Sequence, residues 1–100
     1  MEIRLLDAAQ QEMDESFEFY EEQKAGLGHD FLAEILATLK RIKQNTEAWN
    51  PFSERTRRCL VNRFPYGIVY QVRVDEILVV AVAHLHRKPG YWKNRITKDN

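Results

Sequence analysis

Apolar residues recur along this chain with two different periods, and the change of period divides it. From Ala8 to about Lys24, Ala9, Met13, Phe17 and Tyr20 fall four, four and three residues apart, one stripe of an amphipathic helix. The other faces carry Glu12, Glu15, Glu18 and Glu22, most simply a wet side. A second helix is predicted from about His29 to Asn45, where Phe31, Leu32, Ile35, Leu36, Leu39 and Ile42 form a broader stripe. Between them Lys24-Ala25-Gly26-Leu27-Gly28 breaks the pattern, and both glycines suit the left-handed backbone that ends a helix. So short a connection makes the helices an antiparallel hairpin.

Elsewhere the period is that of strands. Glu2–Leu6 is a brief extended segment with Ile3 and Leu5 on one face, ended by Asp7, which can cap the first helix. Strands are predicted over Arg58–Asn62, Tyr66–Val74 and Ile77–His84, the last two joined by a hairpin at Asp75-Glu76. Strict alternation sets Ile68, Tyr70, Val72 and Val74 on one face and Val69, Gln71 and Arg73 on the other. It likewise sets Leu78, Val80, Val82 and His84 against Ile77, Val79, Ala81 and Ala83. The face bearing Gln71 and Arg73 is a candidate partner surface. Thr46–Thr56, with Trp49 and Phe52, reads as a packed connection. The predicted class is α+β, in the order β-α-α-β-β-β: a small, mostly antiparallel sheet with the helical hairpin packed across one face.

Length and composition refine this picture. One hundred residues, 44% of them hydrophobic, make a single domain with its own core. Acidic and basic residues balance at fifteen each, so the whole chain exerts no net pull on nucleic acid or an anionic membrane. The charge is unevenly spread: acids dominate from Glu2 to Asp30, bases from Lys40 to Arg63 and from His86 to Lys98. Cys59 stands alone, which excludes an internal disulfide and fits a reducing interior; among apolar neighbours in a strand it reads as a small buried hydrophobe. The first residues are no leader and no run spans a membrane, so a cytoplasmic, membrane-free protein is expected. Nothing resembles a nucleotide-binding glycine loop or a hydrolase triad, and no cofactor is expected.

Candidate chemistry gathers where the last strand gives way at Pro89-Gly90. His84, His86, Arg87, Lys88 and Tyr91, with Arg63, Tyr66 and Arg73, are the candidate target-binding residues, a basic and aromatic surface suited to an acidic partner. Lys93 and Arg95 extend its charge, while Trp92 is expected to pack. His84 and His86 have metal-ligand spacing, but no nearby Cys or carboxylate completes a set, and no metal is expected.

Four segments together, Gly26-Leu27-Gly28-x-x-Phe31-Leu32, Arg63-Phe64-Pro65-Tyr66-x-Ile68-Val69-Tyr70, Ala81-Val82-Ala83-His84 and Arg87-Lys88-Pro89-Gly90-Tyr91-Trp92, resemble the RelE/ParE toxin superfamily, in particular its plasmid stabilisation branch. The resemblance implies the toxin of a type II toxin–antitoxin pair, neutralised by a small antitoxin that wraps it in a hetero-oligomer. ParE-like members poison DNA gyrase and have no known hydrolytic centre; RelE-like members cut messenger RNA on the ribosome. Position by position, Arg58, Arg87 and Tyr91 match catalytic residues of RelE-like enzymes. Gly67 follows Tyr66 where those enzymes carry arginine, and Leu60 stands at a second basic position. Each lost phosphate-stabilising cation removes about two to three powers of ten in rate. His84 or His86 could serve as acid or base instead. The expectation is a ParE-like toxin acting by binding, with RelE-like RNA cleavage as the alternative and a toxin fold without toxicity as a third reading.

Overall fold

The two periods become two layers. In the computed structural model, residues 1–46 and 55–96 are described. The elements are β1 (Glu2–Leu5), α1 (Asp7–Gln23), α2 (Leu27–Gln44), β2 (Arg57–Leu60), β3 (Tyr66–Val72) and β4 (Glu76–His84), followed by a 3-10 turn at Lys93–Arg95. The predicted packing of Trp49 and Phe52 lies outside the described residues. No helix among the described residues is long and apolar enough to cross a membrane.

The sheet order is β1-β4-β3-β2. β4 pairs with β1 in parallel and with β3 antiparallel, and β3 pairs with β2 antiparallel. The predicted α+β class and element order hold, with one parallel pair making the sheet mixed. On one face the hairpin buries Ala9, Phe31, Ile35 and Ile42 against Cys59, Ile68, Tyr70, Ile77, Val79 and Val82. Each of the Phe, Ile and Val side chains contributes about 1.5–3 kcal/mol when fully buried. The other face, Val69, Val80, Ala81 and Ala83, is covered by Trp92 and Ile96 of the C-terminal segment. Trp92 packs, as its size and position suggested.

Three details depart from the sequence reading. Val69 pairs with Ala81 but Tyr70 pairs with Val79, so Val80 is an extra residue that reverses the alternation of β4. Ile77, Val79 and Val82 therefore share the helix face, where strict alternation separated Val82 from the other two. The β3–β4 turn centres on Val74-Asp75, one residue earlier than predicted: Arg73 N donates to Glu76 O at 2.8 Å, and Val74 is 99% exposed. Glu76 instead sits in β4, where Arg4 donates to both its oxygens at 3.1 and 2.9 Å. Lastly, Asp7 is the first residue of α1 rather than its cap; the capping position is Leu6, without a side-chain bond. There the Asp7 carboxylate complements the helix dipole.

The two glycines of the helix connection do different work. Gly26 has φ +91°, the left-handed backbone expected. Gly28, for which left-handed backbone was also expected, instead lies in the first turn of α2 without a positive φ, where a Cβ would stand 2.6 Å from the Phe17 carbonyl oxygen and 2.9 Å from Glu21 Cβ. It permits close helix contact. Glu21, from α1, accepts hydrogen bonds from the Gly26 and Gly28 amides, each at 2.9 Å, and so satisfies amide donors at the start of α2. The bond from the Gly26 amide, opposed by desolvation and aided by the Gly28 amide, holds the Glu21 carboxyl below the ordinary carboxylate range.

Gly28→Ala must push against backbone and is expected to cost about 2–3 kcal/mol in urea unfolding. Gly26→Ala meets open space and carries only the left-handed strain, about 1 kcal/mol. The ranking, Gly28 above Gly26, checks the helix contact.

Candidate functional site

β1 ends at Leu5, opposite Val79, and Leu6 N donates to Val79 O at 3.0 Å. Beyond that point the outer edge of β4 would leave backbone groups unpaired, at about 1–3 kcal/mol for each buried one. Side chains close it. Glu12 Oε1, reaching over from α1, accepts from Val82 N at 3.0 Å, and Arg95 Nη1 donates to Val80 O at 2.9 Å. These two side chains stand where the next residues of a strand would.

They are also joined to each other. Arg95 Nη1 donates to Glu12 Oε1 at 3.1 Å and Nη2 to Oε2 at 2.9 Å, a forked pair. Oε2 further accepts from the Tyr91 hydroxyl at 2.7 Å and from Arg87 Nη1 at 3.3 Å. The Glu12 side chain is 12% exposed and that of Arg95 21%. A carboxylate so far out of water persists because two guanidiniums and two further donors surround it.

Around this centre the C-terminal segment is fixed. The Arg87 guanidinium lies 3.7 Å above the Tyr91 ring and that of Arg95 5.2 Å from it. Burial, then the hydrogen bond to Glu12 and its charge, push the Tyr91 hydroxyl well above the ordinary phenol range, against the pull of both arginines. The hydrogen bond to Glu12 likewise strengthens the hold of Arg95 on its proton, against desolvation.

Beside the network, on the sheet face away from the helices, is a pocket of about 60 Å³ whose walls include Arg58, Val69, His84, Arg87, Lys88 and Tyr91. Of the candidate residues, Arg58, His84, Arg87, Lys88 and Tyr91 line this pocket, His84 from the end of β4 with its ring turned to the helix side. His86 lies at its border: its ring is 5.0 Å from that of His84, and its amide donates to His84 Nδ1 at 3.1 Å. Among the described residues no cluster of His, Cys, Asp and Glu could hold a metal ion.

The remaining three lie elsewhere. Arg63, held at φ 72° in the β2–β3 connection, turns to α2, where Asp30 and Glu34 are each 3.7 Å away. Tyr66 is 6% exposed. Its ring packs on Phe31 at 5.0 Å and on His84 at 5.1 Å, so it belongs to the core beneath the site. Arg73 follows the end of β3 opposite Tyr66, about 20 Å along a strand of that length. It pairs with Glu76 at 3.7 Å and donates to Gln71 at 3.1 Å. Gln71 is itself 5% exposed, so the face proposed around it as a partner surface is largely covered there.

Two organising residues escaped the sequence reading. Glu12 passed as one of the wet-side glutamates, and Arg95 as surface charge. The available signal was position: Glu12 lies three residues after Ala9 and just before Met13, on the flank of the apolar stripe. Cys59 is 2% exposed within the helix-side core, and burial raises its thiol pKa, as befits a small buried hydrophobe.

Comparison with known proteins finds likenesses in both sequence and fold. The sequence model of the family described as ParE toxin of type II toxin-antitoxin system, parDE, matches residues 3–89. A solved structure described as a chromosomal ParDE TA system from P. aeruginosa superposes with a TM-score of 0.76 at 17% identity, covering 85% of this chain and 96% of that one. At that identity the likeness is one of fold. No curated protein matches the chain significantly.

Glu12→Gln keeps the side chain's shape and removes its charge, so Tyr91 is expected to ionise at lower pH in that variant than in the native chain. Tyrosinate absorbance, with Tyr91→Phe as control, reads the change. The folded native chain holds the Tyr91 proton more tightly than the unfolded chain does. Its contribution to stability is therefore complete below pH about 10 and is lost as pH rises through the folded value. The alkaline fall in urea midpoint should be shallower in Glu12→Gln.

Proposed function

Because the chain belongs to the family of ParE toxins of type II toxin–antitoxin systems, we propose that it arrests growth by docking the Arg87–Tyr91 rim on a macromolecular target, and that a cognate antitoxin binds and neutralises it. The observation that carries this reading is the state of Tyr91. Its hydroxyl donates to Glu12 at 2.7 Å and its pKa is pushed upward, so its proton serves the fold and is poorly placed to serve a reaction near neutral pH. Arg87, with 52% of its side chain exposed, and the exposed Lys88 and His86 remain available as contacts. DNA gyrase, typical of ParE-like toxins, is the target to test first. The antitoxin finds an apolar footing on the outer faces of the helices, where Phe19 and Leu36 are each 55% exposed.

A second reading, RelE-like cleavage of messenger RNA on the ribosome, is favoured by one observation: Arg58, Arg87 and Tyr91 line the same pocket. It needs the Tyr91 hydroxyl to leave Glu12.

Induction of the chain in a sensitive bacterium separates the two. Growth arrest with double-strand DNA breaks, an SOS response and intact transcripts is the expected outcome, together with inhibition of purified gyrase and relief by the co-expressed antitoxin. Cuts within translated messenger RNA contradict the binding mechanism, and undisturbed growth contradicts both.

A further inference from the structure

We propose that the pocket beside the Glu12 network binds a carboxylate of a partner protein: an Asp, a Glu or a chain end flanked by apolar side chains. The proposal rests on the reading of the rim as a docking surface and names the chemistry that docks. Three cations from two parts of the chain, Arg58 on β2 and Arg87 and Lys88 beyond β4, line the pocket. Arg87 spends Nη1 on Glu12; the rest of its fork suits the two oxygens of a carboxylate. A volume of about 60 Å³ suits one small anionic group.

The surroundings choose between a peptide and a nucleic acid. The pocket's remaining walls include Val69, Ala83, Pro89 and Trp92. Leu85, 43% exposed, is itself a wall, and Leu60, 52% exposed, stands next to Arg58 across Gly67. A phosphodiester strand entering there would meet leucines where its next phosphates need cations. An acidic residue in an apolar segment meets like with like.

Gly67 gives the pocket its shape. A Cβ at this position would lie 2.9 Å from Arg58 Cδ, 3.1 Å from its Cγ and 3.6 Å from Leu60 Cδ2. The stem of Arg58 therefore crosses the bare glycine, and the missing side chain directs the cation. Gly67→Ala displaces Arg58 without altering the charge. Since the obstructing atoms belong to a flexible side chain, the variant is expected to fold.

The test is an amide-resolved NMR titration of the full chain with the blocked tripeptide acetyl-Leu-Glu-Leu-amide, its Gln counterpart and oligothymidylate, with unfolding midpoints recorded for every variant. Expected are shifts centred on the amides of Gly67, Val69, Ala83 and Leu85 with the Glu peptide. Affinity should be at least about tenfold weaker for the Gln peptide and for the Arg58→Gln and Gly67→Ala variants, at unchanged unfolding midpoint. The proposal is overturned by the absence of shifts, by equal binding of the Glu and Gln peptides, by native affinity in Gly67→Ala, or by oligothymidylate filling the pocket more tightly than the peptide. Growth arrest by the native chain, scored separately, distinguishes the two levels. Arrest without peptide binding removes the carboxylate pocket alone, whereas peptide binding without arrest removes the toxin reading and leaves the pocket.

Discussion

The free edge of β4 past Val79 is the constraint on which the rest of this structure depends. A central strand needs partners on both sides, and β1 is too short to supply them to the end. The Glu12 carboxylate takes the Val82 amide and the Arg95 guanidinium takes the Val80 carbonyl, so a charged pair completes the sheet. Once a carboxylate is buried there, it must gather donors. Those donors, Arg87, Tyr91 and Arg95, all come from the segment after β4, and gathering them folds that segment under the sheet. The same movement carries Trp92 onto Val69 and Ala83, and brings Lys88 to the pocket. A buried ion pair of this kind adds little to net stability over an apolar substitute, but losing one member is costly. Its effect is to allow one arrangement of the rim.

Glu12 can reach the strand because α1 is fixed along its length. At the far end of that helix Tyr20 packs on Phe31 at 5.3 Å and on Phe64 at 5.0 Å, and Phe31 and Phe64 lie 5.4 Å apart. Burial raises the Tyr20 hydroxyl pKa to about 12, with Tyr66 adding to the effect. Glu21, one residue on, holds the start of α2. The helix pair, the β2–β3 connection and the start of β3 thus form one aromatic block. From it Glu12 projects about two turns earlier in α1.

The helices and strands were legible because their signal is local: a stripe of period near four, then runs of Val, Ile and Tyr. The bulge at Val80 was not. Both faces of β4 are apolar, so an extra residue leaves no break in the pattern. The turn at Val74-Asp75 was displaced by one residue in the reading because Val74 looks like a strand residue, although it projects into solvent. The cluster around Arg87 and Tyr91 was visible as composition, and the structure gathers five of the candidate residues at one pocket. Arg63, Tyr66 and Arg73 were grouped with them by charge and aromaticity, but chain distance along β3 and the pull of Asp30 and Glu34 send them elsewhere. What composition hides is which of several glutamates turns inward. Glu12 differs from Glu15 and Glu18 only by its place beside the apolar stripe, a difference of angle around the helix axis.

The pairing of Glu12 with Arg95 is therefore the interaction to measure. A double-mutant cycle using Glu12→Gln, Arg95→Met and the combined variant, followed by urea unfolding at neutral pH, isolates their coupling from the cost of each change alone. If the pair closes the β4 edge and anchors the rim, the coupling is about 2 kcal/mol. A coupling within about 0.3 kcal/mol of zero, the additivity of independent sites, would contradict it.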